Sequence, residues 1–521
     1  MPHLHAESIC DRAELQRRVA PRDDAVLAES VEVDQVDDDG GRVELVATAG
    51  PLWSYRRTVT WVADPTDPGL VRVDQEIRYR LAIPYWAPLF DRLMRRALRD
   101  GVAPGVRPWW STPDRLSPAQ ATTVAAMAMF NLIAGILFGL LTQVLTFVSA
   151  DLGDGSAGQQ TTLLSAVRVG VVITVLAMLL ADRTGRRRIA LWALTVAAVL
   201  TVAGAASPSW WVFGTLQLLA RNLAIAGLLC VDTIAVEELP AGSRAMASGL
   251  GALAYGLGAG VIVVSLPLAD LGPWGWRLTF VVAGLTLPLI WHARRYLPES
   301  ERFERARAAS AAADEGADEG AERDAVGSRR ISGARFVLLA TMFFLFNLFL
   351  APASQLQNDY LRTDHGYSGL LIALFVVATS APGGLGVVLG GRLADIRGRR
   401  VAIVPGLTAF GVFTVVFFSL GGPSMWVASL LASVLGALSV PAMGVIAPEL
   451  FPTARRGGVR GMLTAIAVSG SVCGLLLAGS LVDSSGYSTA FLLLAAAPLA
   501  AAALAFAIPE TRGKELEELN P

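Results

Sequence analysis

Three short polar motifs each occur twice in this chain, at almost the same separation. ADRTGRRR at 181–188 returns as ADIRGRR at 394–400, EELPAGSR at 237–244 as ELFPTARR at 449–456, and PESER at 298–302 as PETRG at 509–513. Asp182 and Asp395 lie 213 residues apart, Glu237 and Glu449 lie 212 apart, and Pro298 and Pro509 lie 211 apart. Three unrelated motifs sharing one offset define two tandem copies of a single architecture. Apolar runs fill the space between the motifs, which places both copies in a bilayer.

Composition agrees. Of the residues, 53% are hydrophobic and 17% charged, against about 25% charged in an ordinary soluble domain. A net charge of −1, with no basic tract interleaved with aromatics, argues against a nucleic-acid surface. Cys10, Cys230 and Cys473 are too far apart to form a disulfide framework or a metal set, and the four histidines are scattered. No metal, cofactor or catalytic residue is expected.

From about residue 120 the chain divides into twelve apolar runs, near 122–148, 162–180, 189–206, 210–236, 246–268, 276–293, 334–357, 369–391, 401–420, 424–447, 459–481 and 487–508. Lipid offers the backbone no hydrogen bonds, so the runs must be helices. Arginines crowd the loops after the second, fourth, sixth, eighth and tenth runs, and only Arg362 breaks the pattern. Such a bias puts both termini in the cytoplasm of a multi-pass protein of the cell inner membrane.

The expected organisation is an all-α polytopic membrane protein preceded by a small α+β soluble domain. Its parts are a cytoplasmic accessory domain (1–115), a six-helix bundle (116–293), a flexible cytoplasmic linker (294–333), a second six-helix bundle (334–508) and a tail (509–521). The linker's acidic, small-residue middle cannot bury enough apolar area to fold. In 1–115, alternating segments such as RVELVATA and YRRTVTWVA read as antiparallel strands, followed by the basic amphipathic helix LFDRLMRRALRDG. Strands before a long helix resemble the end of a helix-grip, START-like domain. No apolar leader with a cleavage site is seen near the start.

The paired D-x-x-G-R-R loops, the E-x-x-P-x-x-x-R segments after the fourth and tenth runs, PESER after the sixth and PETRG after the twelfth together resemble the major facilitator superfamily. Within it they are most similar to the sugar porters and related metabolite symporters. The resemblance covers roughly 120–516. It implies two bundles around a central cavity, exposed to each side in turn.

Physical chemistry gives the motifs a job of their own. Gly185 and Gly398 sit at tight reversals between helices. Asp182 and Asp395 are placed to accept hydrogen bonds from a helix N-terminus. Arg186, Arg187, Arg399 and Arg400 can pair with Glu237 and Glu449 on the same face, with Arg244 and Arg456 completing the second motif. Such pairs, if they cross between bundles, close the cytoplasmic side. The competing reading is that the arginines fix topology and bind lipid headgroups.

Departures from the sugar porters bear on the solute. Leu140 and Leu141 follow Phe138 and Gly139, where proton-coupled sugar porters carry an acid. The fifth run holds no glutamine, whereas the seventh offers Asn347, Gln355, Gln357 and Asn358. Ionisable residues within a span are functional hypotheses by default, and Arg168, Arg221 and Asp232 qualify. Either arginine can meet an anionic solute, and Asp232 can carry a coupling proton. Asn131, Gly135, Gly139 and Gln143 form one stripe, readable as a cavity lining or as a packing seam.

These residues predict a monomeric secondary transporter of a small organic solute, with Asp232 available for proton coupling, working by rocker-switch alternating access. The alternatives are a membrane-embedded sensor signalling through 1–115, or efflux in place of uptake. An enzyme is not expected, and no G-x-x-x-x-G-K-[ST] loop for an ATP-driven pump is present.

Overall fold

A computed structural model describes residues 3–509, apart from 38–39, 66, 68, 103–105, 107, 109, 113, 241–242, 300–332 and 451–455. The expected linker lies largely outside the described residues, as does the tail from 510 onward.

The N-terminal domain runs β1 (His3–Asp11), α1 (Arg12–Val19), β2 (Ala28–Asp37), β3 (Gly40–Ala49), β4 (Leu52–Ala63), β5 (Leu70–Leu81) and α2 (Ala87–Asp100). The strands form one antiparallel sheet in the order β1-β5-β4-β3-β2. Period-two alternation sets its two faces. Tyr55 and Val59 of β4 and Val73, Ile77 and Tyr79 of β5 point inward and are buried. Leu15 and Val19 of α1 cover one end of this face, and Met94 and Leu98 of α2 cover the other. Between them a buried ion pair joins Arg57 to Glu29 at 2.5 Å, and Tyr55 donates its hydroxyl to the same carboxylate.

The domain docks on the helices that follow. Trp86 Nε1 donates to the Ala125 carbonyl at 3.1 Å, and Thr122 Oγ1 donates to the Ala82 carbonyl at 3.1 Å. Tyr85 packs edge-on against His292 and Tyr296. Burial there pushes its phenol up to about 12, so it stays neutral at physiological pH.

Among the described residues, eleven helical runs are long and apolar enough to cross a membrane. In the first copy these are span 1 (Pro118–Leu152), span 2 (Ala157–Ala181), span 3 (Arg186–Gly204), span 4 (Trp210–Ala235), span 5 (Gly249–Asp270) and span 6 (Trp276–Ala293). The second copy has span 7 (Gly333–Thr363), span 8 (Gly369–Gly391), span 9 (Arg399–Ser419) and span 10 (Gly422–Gly444). The last run, Met462–Ala505, contains two of the twelve expected crossings, spans 11 and 12. They meet at Gly486, whose φ of 77° breaks the helical path.

Both reversal glycines behave as the sequence predicts. Gly185 has φ 106° and Gly398 has φ 108°, a region costly for any residue with a Cβ. Within each bundle a second glycine permits close helix contact. A side chain on Gly258 of span 5 would strike the Leu132 carbonyl of span 1, and one on Gly474 of span 11 would strike the Leu348 carbonyl of span 7. Both contact pairs are related by the same 216-residue offset, so the repeat extends from the loops into the packing.

Candidate functional site

On the face carrying the basic loops, Arg186 at the start of span 3 forms an ion pair with Glu237, just past span 4. Both residues belong to the first bundle. Arg187 departs from the expected pairing with Glu237. Its Nε donates to the Leu297 carbonyl at 2.7 Å, its Nη2 donates to the Arg294 carbonyl at 3.0 Å, and its backbone N–H donates to the Glu299 carboxylate at 3.1 Å. Arg400 repeats the arrangement, with Nε donating to the Ile508 carbonyl at 2.6 Å. Each second arginine therefore ties down the C-terminal end of its own bundle's last span, where carbonyls lack intrahelical donors and a cation is favoured. Arg399 opens span 9. The side chains of Asp182, Arg244, Asp395, Glu449 and Arg456 lie outside the described set.

The opposite face holds bridges between the bundles. Asp483, near the end of span 11, accepts from the backbone N–H groups of Ala157 (3.1 Å) and Gly158 (2.8 Å) at the start of span 2. Asp270, at the end of span 5, accepts from the Gly369 N–H at the start of span 8 at 2.6 Å. The two aspartates are 213 residues apart, so the latch obeys the internal repeat. Each places a carboxylate on the positive end of a helix in the other bundle. Between these points, Asn358 donates to Gln143 Oε1 at 2.6 Å and to its carbonyl at 3.1 Å. Gln160 of span 2 donates to Asp359 of span 7 at 2.8 Å, and Tyr487, from the same bundle as Asp359, donates to the other oxygen of that carboxylate. Asp359 and Gln160 are each only 2% exposed. All of these bridges sit at the span ends remote from the basic loops.

The interior polar residues divide. In the first bundle, Arg221 of span 4 lies over the Phe138 ring, 4.7 Å from its centroid, and within electrostatic reach of Tyr255. Arg168 of span 2 is near enough for the two guanidiniums to repel. Arg221 Nη1 is buried with no hydrogen-bond partner among the described residues. Asn131 donates to Asp232 at 2.9 Å. Gly135 and Gly139, the middle of the polar stripe, pack on Tyr255 and Ala259 of span 5, which makes that stretch a seam and leaves Asn131 and Gln143 as its polar ends. In the second bundle, Asn347 donates to the Phe343 carbonyl at 3.0 Å. Gln355 keeps a buried Oε1 with no partner among the described residues. Gln357 lines a cavity of about 170 Å³ with Ser354, Ser380 and Ser433.

The latch residues escaped the sequence reading because Gln160 and Asp359 fall just outside the apolar runs assigned to spans 2 and 7. The helix of span 7 in fact continues past Leu356 to Thr363. The 213-residue separation of Asp270 and Asp483 was the available signal.

Two bundles of membrane-crossing helices related by an internal repeat, with a polar interior and paired ties on opposite faces, define a membrane carrier rather than an enzyme. Residues 124–379 and 337–520 match the family model of the Major Facilitator Superfamily, and the chain belongs to that superfamily. It is 26% identical over 392 residues to a protein of Haemophilus influenzae named for metabolite transport, covering 73% of this chain and 93% of that one. It is 25% identical over 323 residues to the cis,cis-muconate transport protein of Acinetobacter baylyi, covering 61% and 76%. In fold it is similar to the xylose transporter XylE from E. coli in an inward open conformation, with a TM-score of 0.61 and 16% identity over 76% of this chain and 98% of that one.

Proposed function

We propose that this chain is a secondary active permease that moves a small organic anion across the cell inner membrane by rocker-switch alternating access, with both termini in the cytoplasm. Residues 1–115 serve as a cytoplasmic accessory domain, and the arginine-rich loops support that orientation. The carrying observation is the pair Arg168 and Arg221. Two guanidiniums share one interior region, and Arg221 has a buried donor without a partner among the described residues. Burying a cation uncompensated is costly, and a carboxylate from the solute supplies the missing charge and acceptor. The aromatic surfaces of Phe138 and Tyr255 suit an unsaturated or aromatic acid, in keeping with the muconate carrier among the relatives. Asp232 is the coupling acid in this reading: it is held by Asn131 and lies about 16 Å along span 4 from Arg221, so the anion and the proton occupy separate places. The contacts between bundles on the remote face support a conformation open toward the basic loops.

Proteoliposome uptake of radiolabelled cis,cis-muconate and D-xylose, with and without an imposed pH gradient, tests the reading. The dicarboxylate should accumulate and xylose should not. Arg221→Gln should cut uptake by about ten- to a hundredfold, the worth of a charged hydrogen bond at ~1.5–3 kcal/mol. Xylose uptake without muconate uptake, or an unaffected Arg221→Gln variant, refutes the anion site. Solute binding with no flux of any kind favours the sensor.

A further inference from the structure

Between the N-terminal domain and the first bundle lies a cavity of about 310 Å³, within the range of ligand pockets. Leu89 and Phe90 of α2 form one wall, and Val124 and Ala128 of span 1 with Leu253 and Leu257 of span 5 form the other. The cavity is almost wholly apolar. Among the described residues its one charged lining residue, Arg115, is held by Asp23 at 2.6 Å and so is not directed to a ligand.

The open side says what enters. Leu253 is 68% exposed and Leu257 58%, and the stripe continues as Val261 and Val264 along the length of span 5. An exposed leucine–valine stripe on a membrane span faces acyl chains, and here it runs without interruption into the cavity. At the mouth stands Leu89, 67% exposed. Arg92 and Arg96 follow it at three and seven residues, on the same exposed side of α2. Their neighbours Arg95 and Arg99 are engaged by Asp91 at 2.7 Å and Asp100 at 2.8 Å. Arg92 and Arg96 form no ion pair among the described residues. An apolar slot continuous with the bilayer surface, with two guanidiniums one and two helical turns beyond Leu89 on the same exposed side of α2, matches a lipid with a negative headgroup.

We propose that this junction binds one anionic phospholipid, with an acyl chain lying in the cavity from the span 5 side and the phosphate held by Arg92 and Arg96. The lipid would bridge α2 to spans 1 and 5, making the docking of the N-terminal domain sensitive to membrane composition.

Native mass spectrometry of the full chain in detergent micelles decides this, using phosphatidylglycerol, phosphatidylcholine and oleate as probes. The wild type should retain one phosphatidylglycerol in preference to phosphatidylcholine. The double variant Arg92→Gln/Arg96→Gln should lose that preference by about tenfold or more, given roughly 1 kcal/mol for each arginine near an anionic headgroup. Leu253→Trp, which fills the slot from an exposed position, should lose the retained lipid, with thermal unfolding confirming that the variant is folded. If it is not, Leu89→Trp fills the slot from the opposite wall. Equal retention of the two phospholipids, retention of oleate without phosphatidylglycerol, or phosphatidylglycerol retention unchanged in the arginine or tryptophan variants overturns the proposal.

Discussion

Converting Asp270 and Asp483 to asparagine leaves an acceptor at each position but removes the charge from the N-termini of spans 8 and 2. A carboxylate at a helix N-terminus contributes about 0.3–1 kcal/mol when exposed and up to ~2 kcal/mol when partly buried. Asp270 bonds the Gly369 N–H at 2.6 Å, and Asp483 bonds two N–H groups, yet both residues are solvent-exposed at the ends of their helices. About 1 kcal/mol each is the appropriate figure. If the two bundles separate at this face as bodies, both contacts break in one event and their energies add to ~2 kcal/mol, because the sites share no partner. The double variant should shift the equilibrium toward the state open on this face by about thirtyfold, and either single variant by about fivefold.

Spin labels read the shift directly. Asp154 and Ser484 are exposed at the turns between spans 1 and 2 and spans 11 and 12. Of the three native cysteines only Cys473 is exposed, so replacing it leaves a background in which these two positions can be labelled. Electron–electron resonance distances between them should lengthen in the double variant, with the singles intermediate. An unchanged distance distribution in a double variant that still transports would show that the symmetric aspartates contribute no closing energy.

Two further outcomes follow from the interior. Asp232→Asn fixes the proposed coupling acid in its neutral form, so gradient-driven accumulation should vanish while solute exchange persists; accumulation equal to the wild type would place coupling elsewhere. Gln160→Leu removes the hydrogen bond that span 2 donates across the bundles to the buried Asp359 carboxylate, at about 1.5–3 kcal/mol for a hydrogen bond to a charged group. It should favour the state open on the remote face, measured by the same spin-label pair, and a distribution identical to the wild type would refute that role.

Much of this was legible in the sequence because membrane insertion imposes a coarse and strict code. Apolar runs longer than the bilayer must be helices, and the paired loops revealed the repeat. Gly185 and Gly398 were readable because a reversal between adjacent helices demands a conformation that favours glycine. The destination of Arg187 was not readable. A guanidinium that finds a carbonyl is satisfied as well as one that finds a carboxylate, and carbonyls leave no mark on the sequence. Asp359 was hidden for a related reason: it falls two residues beyond the end of the seventh apolar run, although its helix persists and its carboxylate is buried.

The two faces differ in what their ties connect. On the basic side, Arg187 to Leu297 and Arg400 to Ile508 each join the first loop of a bundle to the end of that bundle's last span. Rocking one bundle against the other leaves such ties intact, so they stiffen each bundle in every state without favouring any. On the remote side, Asp270 and Asp483 join different bundles, and rocking must break them. A conformational equilibrium shifts only through contacts whose free energy differs between the states. In the proposed rocker-switch cycle the remote aspartates, with the buried Asp359 between them, therefore bias the carrier among the described contacts, whereas the Arg187 and Arg400 ties preserve the rigidity that lets that bias act on a whole bundle.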